Sequence, residues 1–336
     1  MTHSSLPVAV VGVGHMGRHH ARLYSELPQS RLVAVVDKDA GRAAECASKY
    51  GAQALTSIDE LPDGIRAVTV AVPTIHHVQV AESLMRRGIA VLVEKPLAGS
   101  VADADRLLAC TRETGVILSV GHTERFNPVV RAMQRLDVRP KYIETLRVSP
   151  FRFRSADVGV VADMMIHDID IVLHMVRSRV VHVDAVGVNV LGKHEDVANA
   201  RVAFENGAVA NLVASRLALK TDRRIRVFSE TAYLSVDYQS KSGIAVTRDA
   251  NLDILALAKD KNLDDLSQMA GLDFGKMVKV EPLQVDDVEP LRAELEAFLE
   301  SVRTGAPPAV TAEDGAAAVR LAADIVEAVK SHKWSV

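Results

Sequence analysis

Two hydrophobic periods alternate along the first third of the chain. Short β-branched runs, Val8-Ala-Val-Val11, Val68-Thr-Val-Ala-Val72 and Ile89-Ala-Val-Leu-Val93, are almost wholly apolar. Such runs fit strands covered on both faces, as in a parallel sheet between helical layers. Between them apolar positions recur at helical spacing. The pattern predicts strands at 8–12, 31–37, 66–72, 89–93 and 116–120, and helices near 15–27, 39–49, 76–87 and 101–114. Strand and helix alternating over short connections argue for an α/β fold with a doubly wound sheet.

Beyond residue 121 the period changes. Helices are expected at 127–137 and 161–176, around a strand at 141–149 and an irregular stretch at 150–159. Strand patterns then dominate at 180–190, 197–205, 208–217, 223–229, 231–238 and 243–248, with Asn206-Gly207 marking a hairpin between two alternating runs. Residues 250–277 carry no period and read as an inserted loop with a short helix, and helices return at 287–303 and 312–331. The second half is therefore expected to be α+β around an open, mostly antiparallel sheet.

The first strand ends in Gly12-Val-Gly14-His15-Met16-Gly17, and a helical pattern follows at once. In that context G-x-G-x-x-G is a dinucleotide fingerprint. Gly12 permits the tight turn, Gly14 lets backbone approach a pyrophosphate, and Gly17 lets the helix pack on the strand. The helix N-terminus offers unpaired N–H groups to phosphate. The second strand ends in Asp37, placed to accept from both ribose hydroxyls and to repel a 2′-phosphate. NAD is the expected cofactor, ahead of NADP, with Lys38 and Arg42 near enough to soften the preference. The alternative role for Asp37 is a helix cap. The expected organisation is a Rossmann domain over 1–121 and a substrate-binding and oligomerisation domain over 122–336.

The chain of 336 residues is 48% hydrophobic and 25% charged, the balance of a globular protein. A net charge of −3 supplies no field for nucleic acid or an anionic membrane. Cys46 and Cys110 fall in helical patterns and read as reduced core thiols. Nothing in the first residues resembles a signal peptide, and no apolar run is long enough to span a bilayer. A cytoplasmic protein without a membrane partner is expected.

Ligands of doubly wound sheets bind beyond the carboxyl ends of the strands. Those ends carry Pro73, Thr74 and His77, then Glu94-Lys95-Pro96, then Gly121-His122-Thr-Glu-Arg125-Phe-Asn127-Pro128. A lysine there can hydrogen-bond a substrate hydroxyl and help remove its proton, with Glu94 to orient it. Asp163 and His167 lie one helical turn apart, within mutual reach. His167 reads as an acid/base group and Asp163 as an orienting carboxylate; a polar helix face is the alternative for both. No metal is assigned, because further ligands are not evident and hydride transfer needs none. Arg125, Arg147, Arg152 and Arg154 bracket the start of the second domain. Phe151-Arg-Phe-Arg154, if extended, puts two arginines on one face, either as a solvated strand edge or as a diphosphate clamp.

In this order and spacing the G-x-G-x-x-G with His20-Ala21, Pro73-Thr-x-x-His77, Glu94-Lys-Pro96, Arg125-Phe-Asn-Pro128 and Asp163-x-x-x-His167 resemble the Gfo/Idh/MocA oxidoreductase family. The resemblance implies a Rossmann domain followed by an open-sheet domain used for dimer or tetramer contacts. It implies Lys95 as the catalytic lysine, with Asp163 and His167 beside it, and His77 next to the cofactor. Lys95, His122, Arg125, Asn127, Asp163 and His167 are then the expected substrate contacts, joined by Arg152 and Arg154 where these clamp a diphosphate. The stretch from Gly121 to Pro128, with Asp163–Ile171 and Glu289-Pro-Leu291, looks like members that act on nucleotide sugars. That points to the 3-hydroxyl of UDP-N-acetylglucosamine or a related UDP-sugar. The ketone would then pass to an aminotransferase for lipid A or other surface glycans. A free sugar or inositol, or a non-catalytic NAD-binding sensor, are the alternatives.

Overall fold

The computed structural model describes residues 5–151, 158–248 and 278–334. Strands β1 (Leu6–Val11), β2 (Ser30–Val36), β3 (Gln53–Leu55), β4 (Ala67–Val70), β5 (Ala90–Glu94) and β6 (Leu118–Gly121) form one parallel sheet in the order 3-2-1-4-5-6. Helices α1 (Gly17–Glu26), α2 (Ala40–Tyr50), α3 (His77–Arg86) and α4 (Val101–Thr114) make the crossovers. Alternate side chains of β1 point to different cores: Val8 and Val10 pack with Leu23 and Tyr24, whereas Ala9 and Val11 pack with Leu84 and Met85. The strand order reverses between β1 and β4, and there a crevice opens. β3 was not expected from the sequence. It is three residues long with two exposed, so it has no apolar run to announce it.

The second sheet has eight strands: β7 (Tyr142–Val148), β8 (Val180–Val188), β9 (Val197–Phe204), β10 (Val209–Ser215), β11 (Asp222–Phe228), β12 (Ala232–Asp237), β13 (Ser242–Arg248) and β14 (Val278–Pro282). Their order is β14-β13-β12-β11-β7-β10-β9-β8, antiparallel except for the parallel β7–β10 pair. β7 shows the expected alternation: Ile143, Thr145 and Arg147 are buried, and Tyr142, Glu144 and Leu146 are half-buried on the other face. α5 (Pro128–Gln134) precedes the sheet, and α6 (Ile166–Val176) packs on its inner face. The pattern at 161–176 predicts one α-helix, but its first turn, Val161–Met165, is a π turn. β14 was also unforeseen, since it pairs at an exposed edge. The expected insertion at 250–277 lies outside the described residues.

The last two helices return to the first sheet. α7 (Pro290–Thr304) places Leu291, Leu295, Phe298 and Leu299 in the core shared by Val8 and Val10. Ahead of α8 (Ala312–Ser331), Val310 accepts from Val120 N and Ser119 Oγ, which covers the β6 edge. α8 then crosses between the layers. Ala316 and Val319 join the core of the first sheet, while Leu321 and Ile325 join that of the second. Among the described residues no helix is long and apolar enough to cross a membrane.

Phe298→Ala should destabilise the protein by about 3–5 kcal/mol in urea denaturation, the cost of a large core cavity. A loss under about 1 kcal/mol would show that α7 contributes little to that core.

Candidate functional site

Backbone geometry makes the phosphate loop. Gly12 has φ +85°, and a Cβ there would sit 2.7 Å from the Ala71 carbonyl oxygen. A Cβ on Gly17 would overlap the Gly12 carbonyl, so α1 meets β1 only through glycine. At Gly14 nothing lies within 4 Å of such a Cβ, which leaves room for a ligand against backbone. α1 starts without a side-chain cap or a first-turn acid, so no side chain offsets the positive end of its dipole. The loop opens on a cleft of about 860 Å³, bordered by Gly12, Gly14, His15 and Met16, by Asp37, by Pro73, Thr74 and His77, and by Glu94 and Lys95. Gly17 lies behind the loop in a packing role. Thr56, Ser57, Ile58 and Asp59, just after β3, also line the cleft and carry no sequence signal. These residues fit a dinucleotide.

Asp37 lines the same cleft at the end of β2. Its Oδ2 accepts from Val13 N (3.0 Å), and its Oδ1 accepts from Asp39 N and Arg42 Nη2, both at 3.0 Å. Burial opposes ionisation, but these bonds outweigh it and hold the carboxyl below its ordinary range. Asp39, rather than Asp37, caps α2. His77 ties two loops together, with Nδ1 2.9 Å from the Pro96 carbonyl and Nε2 2.9 Å from that of Val72.

At the other end of the cleft the two sheets meet. Lys95 Nζ donates to the Asp163 carbonyl (2.7 Å) and to Asp163 Oδ1 (3.2 Å). His167 follows one turn later, with its Nδ1 buried and without a hydrogen-bond partner among the described residues. Burial, then the Lys95 and Arg147 charges, push the imidazole well below its ordinary pKa, so it is neutral at pH 7. Beneath Lys95, Glu94 is buried. Its Oε1 is 2.8 Å from His20 Nε2, and its Oε2 accepts from Lys95 N. Burial opposes its ionisation, but His20 and Lys95 more than compensate and lower its pKa. Glu294 of α7 is a buried acid that sequence reasoning missed. Its Oε2 accepts from Thr123 Oγ1 (3.0 Å), and burial followed by the Glu94 charge raises its pKa well above the ordinary value.

Several expected substrate contacts are corrected. Arg125 does not face the cleft. It is buried, with Nε and Nη2 on the Asp170 carboxylate at 2.7 and 2.8 Å and Nη1 2.8 Å from His174 Nδ1. Arg147 likewise grips Asp168 with two bonds of 2.8 Å and reaches Glu124 with a third. Neither is free to clamp a diphosphate. Asn127 is buried as the cap of α5, accepting from Val129 N and donating to Glu124 Oε1. His122 is 1% exposed, and neither ring nitrogen has a hydrogen-bond partner among the described residues. Burial depresses its pKa, so the imidazole is neutral. Arg152 and Arg154 lie outside the described residues.

Comparisons with known proteins agree with this geometry. A family profile described as the oxidoreductase family with an NAD-binding Rossmann fold matches residues 6–122, and the GFO/IDH/MocA C-terminal domain matches 135–235. The chain is 39% identical over 230 residues to UDP-N-acetylglucosamine 3-dehydrogenase of Acidithiobacillus ferrooxidans, covering 68% of this chain and 73% of that one. The solved structure of that enzyme superposes with a TM-score of 0.86 at 32% identity, covering 97% and 98% of the two chains. A myo-inositol 2-dehydrogenase of Thermotoga maritima is 27% identical over 94% of this chain and 93% of its own.

Glu294 gives the stability of the protein a definite pH dependence. Its carboxyl ionises near pH 4.3 when unfolded but much higher when folded. Above that pH the folded state binds the extra proton, so this group's contribution falls as pH rises. Glu294→Gln should therefore gain stability relative to wild type between pH 5 and 8, by up to about 1.4 kcal/mol per pH unit. Urea denaturation across that range checks this; a constant offset between the two proteins would contradict it.

Proposed function

This chain belongs to the Gfo/Idh/MocA oxidoreductase family, and we propose that it oxidises the 3-hydroxyl of UDP-N-acetylglucosamine, or a closely related nucleotide sugar, to a ketone. The observation that carries the chemistry is the meeting of Lys95, just past β5 of the first sheet, with Asp163, in the π turn ahead of α6, at the end of a dinucleotide cleft. The nucleotide sugar is favoured because a relative of that activity matches at 39% identity, whereas the myo-inositol relative matches at 27%.

NAD⁺, when bound, supplies the two-electron acceptor for the hydride on the carbinol carbon. Gly12, Gly14 and the start of α1 would hold its pyrophosphate, and Asp37 would hold the adenosine ribose. Lys95 hydrogen-bonds the sugar hydroxyl. Asp163 fixes the ammonium in place by carbonyl and carboxylate together. His167, kept neutral by burial, takes the hydroxyl proton while the Lys95 ammonium donates a hydrogen bond to the sugar oxygen. A non-catalytic NAD-binding protein would have no need of this triplet. With Arg125 and Arg147 committed to buried carboxylates, Arg152 and Arg154 are the proposed diphosphate contacts.

We also propose assembly through the outer face of the second sheet. Tyr142, Phe228 and Tyr233 line up there, with ring centroids 5.6 and 4.8 Å apart, and among the described residues no helix covers them. An aminotransferase is the proposed consumer of the ketone.

NADH formation from NAD⁺ and UDP-N-acetylglucosamine, with a ketone trap present, tests the proposal. A signal with the nucleotide sugar and none with inositol or glucose is expected; the reverse would move the protein to a polyol substrate. Lys95→Met should keep NAD⁺ affinity and lose at least about 100-fold in kcat, the range for a positioned proton-transfer group. Asp37→Ala should weaken NAD⁺ more than NADP⁺, and an unchanged ratio would remove Asp37 from ribose recognition.

A further inference from the structure

The π turn that carries Asp163 is held from outside the cleft by the connection between β8 and β9. Val160 N donates to the Glu195 carbonyl (3.0 Å), and Val161 N donates to Glu195 Oε1 (3.3 Å). Glu195 thus meets the opening of the turn with main chain and side chain at once. The side chain is itself buried, and it lies where a Cβ on Gly159 would be, so Gly159 is glycine because the carboxylate occupies that space. Asp163 N then donates to the Gly159 carbonyl (3.1 Å), which places Asp163 directly on the segment that Glu195 clamps.

The clamp is itself fastened. The neighbouring Asp196 accepts from Val190 N (2.7 Å) and Leu191 N (2.6 Å), closing the hairpin, and from Arg216 Nε (2.6 Å). Arg216 Nη1 donates to the Val158 carbonyl (2.7 Å), one residue before Gly159. Two consecutive acids and one arginine therefore stitch a surface hairpin to the backbone that enters the turn. A π turn widens the helix by one residue and re-aims the side chains on it, and such turns recur at functional sites. Here the re-aimed group is the one that holds Lys95.

We propose that Glu195 is a positioning residue for the Lys95–Asp163 pair, acting through the backbone of Gly159–Val161. The assignment rests on the reading of Lys95 as the proton-handling lysine. Glu195 itself is remote from the hydroxyl being oxidised: it fixes the π turn, the turn fixes Asp163, and Asp163 fixes the ammonium.

The test uses the full chain and two variants. Glu195→Gln retains an acceptor for Val161 N; Glu195→Ala does not. Glu195→Ala should lose at least about tenfold in kcat with NAD⁺ Kd within about twofold of wild type, and Glu195→Gln should recover kcat to within about threefold, the pattern of misplacement near the reacting atoms. A second readout needs no turnover: the acetylation rate of Lys95 by a water-soluble N-hydroxysuccinimide ester, followed by peptide mass spectrometry. It should rise several-fold in Glu195→Ala and stay at the wild-type rate in Glu195→Gln. An unchanged Lys95 labelling rate in Glu195→Ala overturns the proposal, whatever happens to kcat, as does a Glu195→Gln protein no better than the alanine variant. Wild-type turnover in Lys95→Met would instead sink the catalytic reading of Lys95, and the labelling rates would still decide whether Glu195 places that lysine.

Discussion

Two buried carboxylates on one helix set where everything else can be. Asp168 and Asp170 of α6 are almost fully excluded from water, and each is gripped by a bidentate arginine: Arg147 from β7 and Arg125 from the segment after β6. Such pairs gain little net stability over a well-packed apolar alternative, because desolvation offsets the attraction. Losing one partner, however, strands a buried charge at a cost of about 3–5 kcal/mol. The rotation of α6 is therefore fixed to within hydrogen-bond geometry. With it are fixed the direction of His167 on α6 and that of Asp163 in the turn just before.

The same economy of position runs through the meeting of the two sheets. α8 belongs to both cores, and the strand-like pair at Ser119 and Thr311 closes the edge of the first sheet with residues from the far end of the chain. Behind the Lys95–Asp163 pair, packing from both sides buries a cluster of titratable groups. There Glu94 is held ionised by His20 and Lys95 against its own burial, His167 and His122 are held neutral, and Glu294 is held protonated. Titratable groups whose environments push them in opposite directions are what a proton-transfer site requires.

The expected α/β sheet was legible because its strands are buried on both faces and its helices are amphipathic, two periods that survive without tertiary context. β3 and β14 were not legible, because short exposed strands pair through backbone alone. Gly12, Gly14, Asp37 and Lys95 could be placed on one cleft from spacing, since each sits at the carboxyl end of a strand whose neighbours are dictated by topology. Arg125, Asn127 and Arg147 could not. An arginine aimed at a diphosphate and an arginine aimed at a buried aspartate look the same in one dimension, and nothing local marks Asp170 and Asp168 as their partners.

Sequence by itself determined the local matters: the periods, the glycine turn at the end of β1, the helix that follows, and the set of polar residues delivered to the strand ends. These depend on steric limits and on the burial of neighbours a few residues away. Tertiary structure alone decided which of those residues face the cleft and which spend their hydrogen bonds on each other. It decided that the helix carrying His167 opens in a π turn, that Glu195 grips the entry to that turn, and that Glu294, from a distant element, meets Thr123 beside the buried Glu94. The physical reason is that the protonation and direction of a side chain depend on the charges and voids around it, and those arrive from parts of the chain that no local pattern connects.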